Sequence, residues 1–220
     1  MNWLLILFAV PLLGAAAVML LPKDNPTLAK QAGVAISLLV FVISLVIALQ
    51  FVVADAAQFQ AGFSYDWIPA FGVSFAMGLD GISLALVALS TSLVPIVLLA
   101  GWDDADGARG SVKGYIALIL VLEAAMIGVF AATDVFLFYV FFEAMLVPVY
   151  FLIGRYGGPR RNYAAVKFLL YSLFGGLLML AALIALYVVS ADELGKGTFD
   201  FTALAALDIP LETQKWLFAG

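Results

Sequence analysis

The fold is decided by one stretch of the sequence, GYIALILVLEAAMIGVFAATDVFLFYVFFEAMLVPVYFLI, which covers residues 114–153. It contains two apolar runs, Gly114–Ala132 and Val135–Ile153, with only Thr133-Asp134 between them. A helix needs about 20 mostly apolar residues to cross the hydrocarbon of a bilayer. The two runs therefore predict two consecutive membrane-spanning helices joined by a very tight turn.

Further apolar runs lie on both sides of this stretch, at Trp3–Leu21, Gln31–Val53, Ile82–Ala100 and Ala164–Ser190, and a last one begins at Trp216. We predict an all-α, polytopic transmembrane helix bundle of six spans and the start of a seventh. Because the last run stops at Gly220, we expect the chain to be the N-terminal part of a longer protein. A signal peptide is the alternative for the first run, but that run lacks a positively charged start and five spans follow it.

The composition excludes several classes of protein. Of the 220 residues, 65% are hydrophobic and only 11% are charged, whereas a soluble domain carries about 25% charged residues. This excludes a soluble enzyme, and the net charge of −5 argues against a nucleic-acid partner. The chain contains neither Cys nor His, so we expect no metal site, and any proton chemistry depends on carboxylates, Lys, Tyr and water.

The basic residues predict the orientation, since they fall in alternate loops. Loops 1, 3 and 5 hold Lys23 and Lys30, Arg109 and Lys113, and Arg155, Arg160 and Arg161. Cytoplasmic loops carry the excess of Lys and Arg. We therefore expect a multi-pass membrane protein with loops 1, 3 and 5 in the cytoplasm and its N-terminus outside.

Loop 2, residues 54–81, has a pattern of its own. Apolar and aromatic residues alternate from Phe59 to Trp67 and again from Val73 to Leu79, on either side of Pro69. Period two on both sides of a turn predicts an external β-hairpin. It is either an aromatic anchor at the membrane surface or a contact element for neighbouring subunits.

Three ionisable residues fall inside the predicted spans: Glu123, Glu143 and Lys167. A charge at the centre of a spanning helix costs roughly 2.5–3.5 kcal/mol, so such residues are candidates for function. At about 1.5 Å per residue, both glutamates lie about 14–15 Å from the Thr133-Asp134 turn. Equal depth suggests a relay or a shared proton; the alternative is that one of them is a protonated packing residue.

Glu143 and Lys167 differ in their surroundings. Pro148 cannot donate a hydrogen bond to the carbonyl of Ala144, so this carbonyl next to Glu143 is free to hold water, unless Pro148 only kinks the helix. Lys167 lies about 10 Å nearer the inner surface than Glu143. A direct ion pair between Glu143 and Lys167 is therefore marginal. The alternatives are a link through water molecules and a Lys167 side chain that extends to the lipid headgroups.

Other candidates have simpler interpretations. Asp80 and Asp134 precede helices and are expected to be N-caps, and Ser172 and Gly176 form a small-xxx-small pair expected at a helix contact. No nucleotide-binding or metal-ligand motif is present. The chemistry that remains is the movement of an ion.

Three stretches carry a family resemblance: residues 133–154, which include the Glu143-Ala-Met-Leu-Val-Pro148 run, residues 79–84 and residues 165–172. They resemble the antiporter-like chain M family of bacterial NADH:quinone oxidoreductase (complex I), whose mitochondrial counterpart is NADH dehydrogenase subunit 4. The sister chains L and N and the Mrp-type antiporters share the architecture but are less similar at the Glu143 run.

The resemblance implies about fourteen helices with two inverted repeats. Residues 1–113 would be the N-terminal helices 1–3 with the hairpin, and residues 114–220 the first part of one repeat. Glu143 matches the family's functional glutamate and Lys167 a family lysine, while the central channel lysine would lie beyond residue 220. The chain itself would hold no cofactor; flavin, iron–sulfur clusters and quinone would belong to partner subunits.

The sequence thus predicts a proton-translocating membrane subunit of a respiratory NADH:quinone oxidoreductase, in which Glu143, Glu123 and Lys167 carry or modulate the proton. Expected partners are the other membrane subunits of complex I, including sister antiporter-like chains, together with the bilayer and protons. The alternatives are a subunit of a multi-chain sodium/proton antiporter and a scaffold that conducts nothing.

Overall fold

The computed structural model describes residues 2–22, 25–106 and 110–219, so the predictions for Lys23, Arg109 and Gly220 lie outside the described residues. The elements are α1 (Trp3–Leu20), α2 (Pro26–Gln50), β1 (Gln60–Ile68), β2 (Val73–Leu79), α3 (Gly81–Ala100), α4 (Val112–Ala131), α5 (Val135–Tyr156), α6 (Arg161–Leu194), α7 (Phe201–Ala205) and α8 (Leu211–Ala219). In these ranges six helices, α1 to α6, are long and apolar enough to cross a membrane. The predicted helical bundle with a hairpin in loop 2 is confirmed.

Helix α4 is the centre of the bundle. It packs against α1, α2, α3 and α5, and it is more buried than any of the other five spans. Helices α5 and α6 pack against each other and are the least buried spans. A helix that is apolar all round is typical of a membrane span, which explains why so much apolar surface lies on the outside of the bundle.

Polar caps set the helix boundaries. Asn25 accepts a hydrogen bond from the N–H of Leu28, with Pro26 in the first turn of α2. Asp80 and Ser83 form a reciprocal capping box at the start of α3. The cap at Asn25 starts α2 before the predicted Gln31, and α6 likewise extends beyond its predicted range at both ends. The sequence also did not predict α7.

Strands β1 and β2 form an antiparallel hairpin in which Phe63 pairs with Met77 and Tyr65 with Phe75. The turn contains Gly72 in the left-handed region, with φ of 65°, where glycine has no steric cost. The hairpin defines one end of the bundle, called the hairpin end below; the other end is called the opposite end.

The hairpin is hydrogen-bonded to the α4–α5 turn, and this turn is hydrogen-bonded to the segment after α6. The N–H of Thr133 donates to the carbonyl of Ala76 at 3.0 Å, and the N–H of Phe201 donates to the carbonyl of Thr133 at 3.0 Å. The N–H of Val135 donates to the carbonyl of Phe199 at 2.9 Å. Loop 2, the α4–α5 turn and the segment after α6 therefore form one layer at the hairpin end.

Two lysines that the sequence analysis assigned to loops lie within helices and are buried, which corrects that assignment. Lys30 is in the first turns of α2, and its Nζ contacts Asp106 at 2.8 Å and Asp103 at 3.3 Å. Lys113 is in the first turn of α4 and donates from Nζ to the carbonyls of Met19 and Leu21 at the end of α1. Both charges find partners at the opposite end, and Lys113 satisfies carbonyls that a helix end leaves free.

Candidate functional site

The contact between α5 and α6 positions the first candidate residue. A Cβ built on Gly176 of α6 would overlap Oε1 of Glu143 on α5. Nearer the opposite end, a Cβ on Gly154 would lie 3.5 Å from Cβ of Ala165, which is an ordinary contact. The lack of a side chain is therefore required only at Gly176, where it leaves room for the Glu143 carboxyl group.

Glu143 lies near the middle of α5, half-buried between this helix and α6. Its Oε1 is buried and accepts no hydrogen bond from the described residues. Pro148 lies within α5 and is buried, and because it has no N–H the carbonyl of Ala144 loses its helical donor. A carboxyl group with an unused oxygen thus lies one residue from a free carbonyl.

Lys167 is exposed on α6, between two tyrosine rings. Its Nζ lies 5.8 Å from the ring centroid of Tyr163 and 5.8 Å from that of Tyr171, a distance at which a cation is attracted to the ring face. Among the described residues it forms no salt bridge.

The depth of Lys167 relative to Glu143 follows from the α5–α6 register. Because the helices are antiparallel and Glu143 lies against Gly176, Lys167 lies level with Leu152. Leu152 is about 14 Å from Glu143 along α5. The structure does not bring Lys167 and Glu143 together.

Glu123 is completely buried in α4, and neither of its carboxyl oxygens has a hydrogen-bond partner among the described residues. Ile116, two helical turns earlier on the same face, packs where a Cβ on Gly33 of α2 would be. Gly128 of α4 instead lies beneath the ring of Phe141 on α5. At 3.6 residues per turn, the directions of Glu123 and Gly128 differ by about 140°. Glu123 therefore faces α2, whereas α5 packs on another side of α4.

Glu123 and Glu143 therefore lie at a similar depth, but Glu123 is not on the side of α4 that packs against α5, and no hydrogen bond joins the two carboxyl groups. Two buried polar side chains on α2 and α3 were not predicted from the sequence. Ser44 of α2 and Thr91 of α3 are fully buried and are hydrogen-bonded to each other at 2.9 Å. The recurrence of Gly33, Ser37 and Ser44 at helical spacing is the signal that could have revealed a polar stripe on α2.

Asp134 joins the hairpin to α5. Its Oδ1 accepts hydrogen bonds from the N–H groups of Phe136 and Leu137, which confirms the predicted N-cap, and its Oδ2 accepts one from Ser74 of β2 at 2.8 Å. Burial and, to a lesser extent, the nearby Asp200 raise the pKa of Asp134 above its usual value, and the three N–H donors oppose this shift. The bond to Ser74 was not predictable from the sequence position of Asp134.

No candidate metal centre is found in the part of the chain that the structure describes, since no three Asp or Glu side chains are grouped there. The three candidate residues therefore lie in separate places: Glu143 at the α5–α6 contact, Glu123 in the core formed by α1 to α4, and Lys167 on the exposed surface of α6.

Comparisons with known proteins agree with this architecture. Residues 132–218 match the family described as "NADH:quinone oxidoreductase/Mrp antiporter, TM". The chain is 46% identical to "NADH-quinone oxidoreductase subunit M" of Mycobacterium tuberculosis over 93% of the chain and 41% of that protein. It is 37% identical to the protein of the same name from Rhodobacter capsulatus, over 95% of the chain and 39% of that protein. The chain thus spans about two fifths of the length of these relatives.

Two solved structures have a similar fold. A chain of "Respiratory complex I from Thermus thermophilus with bound NADH" matches with a TM-score of 0.80 at 30% identity. The match covers 100% of the present chain and 42% of the Thermus thermophilus chain. The Mrp complex of a Dietzia species has a TM-score of 0.71 at 25% identity over 88% of this chain and 20% of that one. These relatives confirm the resemblance on which the sequence analysis relied.

Proposed function

The chain is a relative of subunit M of NADH-quinone oxidoreductase, with residues 132–218 in the NADH:quinone oxidoreductase/Mrp antiporter membrane family, and we propose that it moves protons as a membrane subunit of such an oxidoreductase. The redox groups would belong to other subunits. The protein would lie in the bacterial cell membrane with its N-terminus and the hairpin end outside, beside other antiporter-like chains.

The observation that carries this proposal is the position of Glu143. Its carboxyl group lies in the middle of a membrane-spanning helix, at the Gly176 contact, with a buried oxygen that no described residue satisfies. Ionisable groups at this depth are expensive and are typical of ion and proton pathways. A packing residue would be expected to have its polar atoms satisfied by the protein.

Glu143 would act as the proton carrier. An approaching positive charge favours the ionised carboxylate, and its withdrawal favours the protonated form. Movement of a single charge near Glu143 would therefore release and reload a proton. The carbonyl of Ala144, freed by Pro148, would hold water for the transfer.

Lys167 and Glu123 would have supporting roles. Lys167 is about 14 Å from Glu143 along the helix axis, so it would act on the water path near the opposite end rather than pair directly with the carboxylate. Glu123 faces α2 and would modulate the path from the N-terminal helices rather than share a proton with Glu143.

The experiment is the replacement Glu143→Gln in the full-length protein within its assembled complex. Gln keeps the shape but cannot take up or release a proton. We expect loss of most proton pumping and much of the coupled quinone reduction, measured together in membrane vesicles and normalised to assembled complex. Glu193→Gln, at the exposed end of α6, is the matched control and should pump normally.

A sodium/proton antiporter subunit is the second candidate, supported by the similarity to the Mrp complex. Transport that depends on sodium and continues without NADH would favour it. Wild-type pumping in Glu143→Gln would instead contradict a carrier role and favour the non-conducting scaffold.

A further inference from the structure

A basic cavity of about 650 Å³ lies at the opposite end of the bundle, where α5 ends and α6 begins. Its lining includes the loop from Gly157 to Arg160 and the first turns of α6. Three cationic side chains, Arg160, Arg161 and Lys167, contribute to the wall, and no carboxylate of the described residues lines it. The cavity therefore concentrates positive charge without an acidic counterpart.

The cations of this cavity are not engaged by carboxylates of the described residues, in which salt bridges involve only Lys30 and Lys215. Arg161 donates one hydrogen bond to the carbonyl of Gly157, which leaves its other N–H groups available. Guanidinium groups bind phosphate oxygens in paired hydrogen bonds. The wall of the cavity thus offers the donors that a phosphate group requires.

The rest of the wall is apolar and continues onto the lipid-facing surface. Ile153 and Phe168 line the cavity, and exposed apolar side chains follow along α6 at Leu170, Phe174 and Leu178. Residues four apart lie on one face of a helix. An acyl chain could therefore lie along α6 while its phosphate group stays at the basic rim of the cavity. The apolar surface favours a phospholipid over free phosphate, because free phosphate has no apolar part to bind there.

We propose that this cavity binds the phosphate headgroup of an anionic phospholipid, with Arg160 and Arg161 as its ligands and an acyl chain along α6. Basic pockets between spanning helices are suited to such headgroups. The site is separate from Glu143. A bound phosphate would also lie beside Lys167 and offset its charge, so the local lipid would tune the end of the proposed proton path.

The test uses photoactivatable phosphatidylglycerol in vesicles that contain the assembled complex, without substrate, and measures labelling of the segment from Ile153 to Phe168. Photoactivatable phosphatidylcholine is the lipid control. We expect labelling by phosphatidylglycerol to exceed that by phosphatidylcholine, and to fall about fivefold for each cation removed in Arg160→Gln and Arg161→Gln. Arg155→Gln removes a cation that lies over Phe151 and outside the cavity, and should leave labelling unchanged.

The other outcomes are equally decisive. Equal labelling by the two lipids, or an equal loss in Arg155→Gln, would overturn the proposal. Competition by inorganic phosphate would reassign the cavity to free anions. If the Gln variants do not assemble, the pair Arg160→Lys and Arg161→Lys keeps the charge and should retain most labelling. Because no turnover is needed, this result is independent of whether Glu143 carries protons.

Discussion

The carboxyl group of Glu143 occupies the space that a side chain on Gly176 would fill. The absence of a side chain at one position of α6 is therefore what allows an ionisable group to lie between α5 and α6 at mid-depth. The sequence identified Gly176 only as part of a small-residue pair suited to helix packing. In the structure, Gly176 also determines where the proposed proton carrier lies.

Gly176→Ala should displace the Glu143 carboxyl group, because its Cβ would overlap Oε1. We expect proton pumping per assembled complex to fall at least about tenfold, since small displacements of reacting groups have large effects on rate. The added methyl group should cost about 1–3 kcal/mol in stability. Pumping in vesicles and thermal unfolding of the complex measure the two effects.

Gly175→Ala is the matched control, since a Cβ there meets nothing within 4 Å in the described residues. It should pump at the wild-type rate. In the double variant Gly176→Ala/Glu143→Asp, the shorter acidic side chain leaves room for the added methyl group. The loss of proton pumping in the double variant should therefore be smaller than the combined losses of the two single variants. A Gly176→Ala variant with normal pumping would show that the contact has no role in the mechanism.

Asp134→Asn should loosen the hairpin from α5. The amide that replaces one oxygen would leave either the N–H of Ser74 or the two N–H groups at the start of α5 without an acceptor. An unsatisfied buried donor costs about 1–3 kcal/mol. We expect faster hydrogen exchange at Ser74 and its neighbours on β2.

The control for this change is Asp80→Asn, because Asp80 accepts its bond from Ser83 within its own capping box. Asn is also a good N-cap, so exchange in β2 should remain slow. Equal exchange in both variants would show that the hairpin is held by its backbone bonds alone.

The spans and the hairpin could be predicted because each depends on a local period. A bilayer requires long apolar runs, and alternation on either side of Pro69 indicates two paired strands. The caps at Asp80 and Asp134 follow from the same local chemistry, since an N-cap bonds within its own first turn.

Contacts between distant segments could not be predicted in this way. Lys30 meets Asp103 and Asp106, and nothing near Lys30 in the sequence indicates those partners. For Glu123, the rise per residue gave its depth, but the side of α4 on which it lies depends on how α2 and α5 pack. The equal depth of Glu123 and Glu143 therefore suggested that they lie close together, whereas the packing of the helices separates them.

The orientation can be tested because the chain contains no Cys. Tyr65 is exposed on β1 at the hairpin end, and Arg160 is exposed at the opposite end. We expect Tyr65→Cys to react with an impermeant thiol reagent added to intact cells, and Arg160→Cys to react only after the membrane is opened. Labelling of position 160 from outside would reverse the topology and the proposed direction of the path.

A double-variant cycle can test whether the two glutamates act as one unit. Glu123→Gln keeps the shape of a fully buried side chain, and Glu143→Asp keeps an ionisable group, so both variants should retain measurable pumping. Residues that share a proton are strongly coupled, whereas separate sites contribute additively within about 0.3–0.5 kcal/mol. Because Glu123 faces α2 and Glu143 lies against α6, we expect the logarithms of the two rate losses to add in the double variant. Initial rates of vesicle acidification, at equal amounts of complex, provide the measurement. A double variant no slower than the slower single variant would mean that the two carboxyl groups serve one step despite facing different helices.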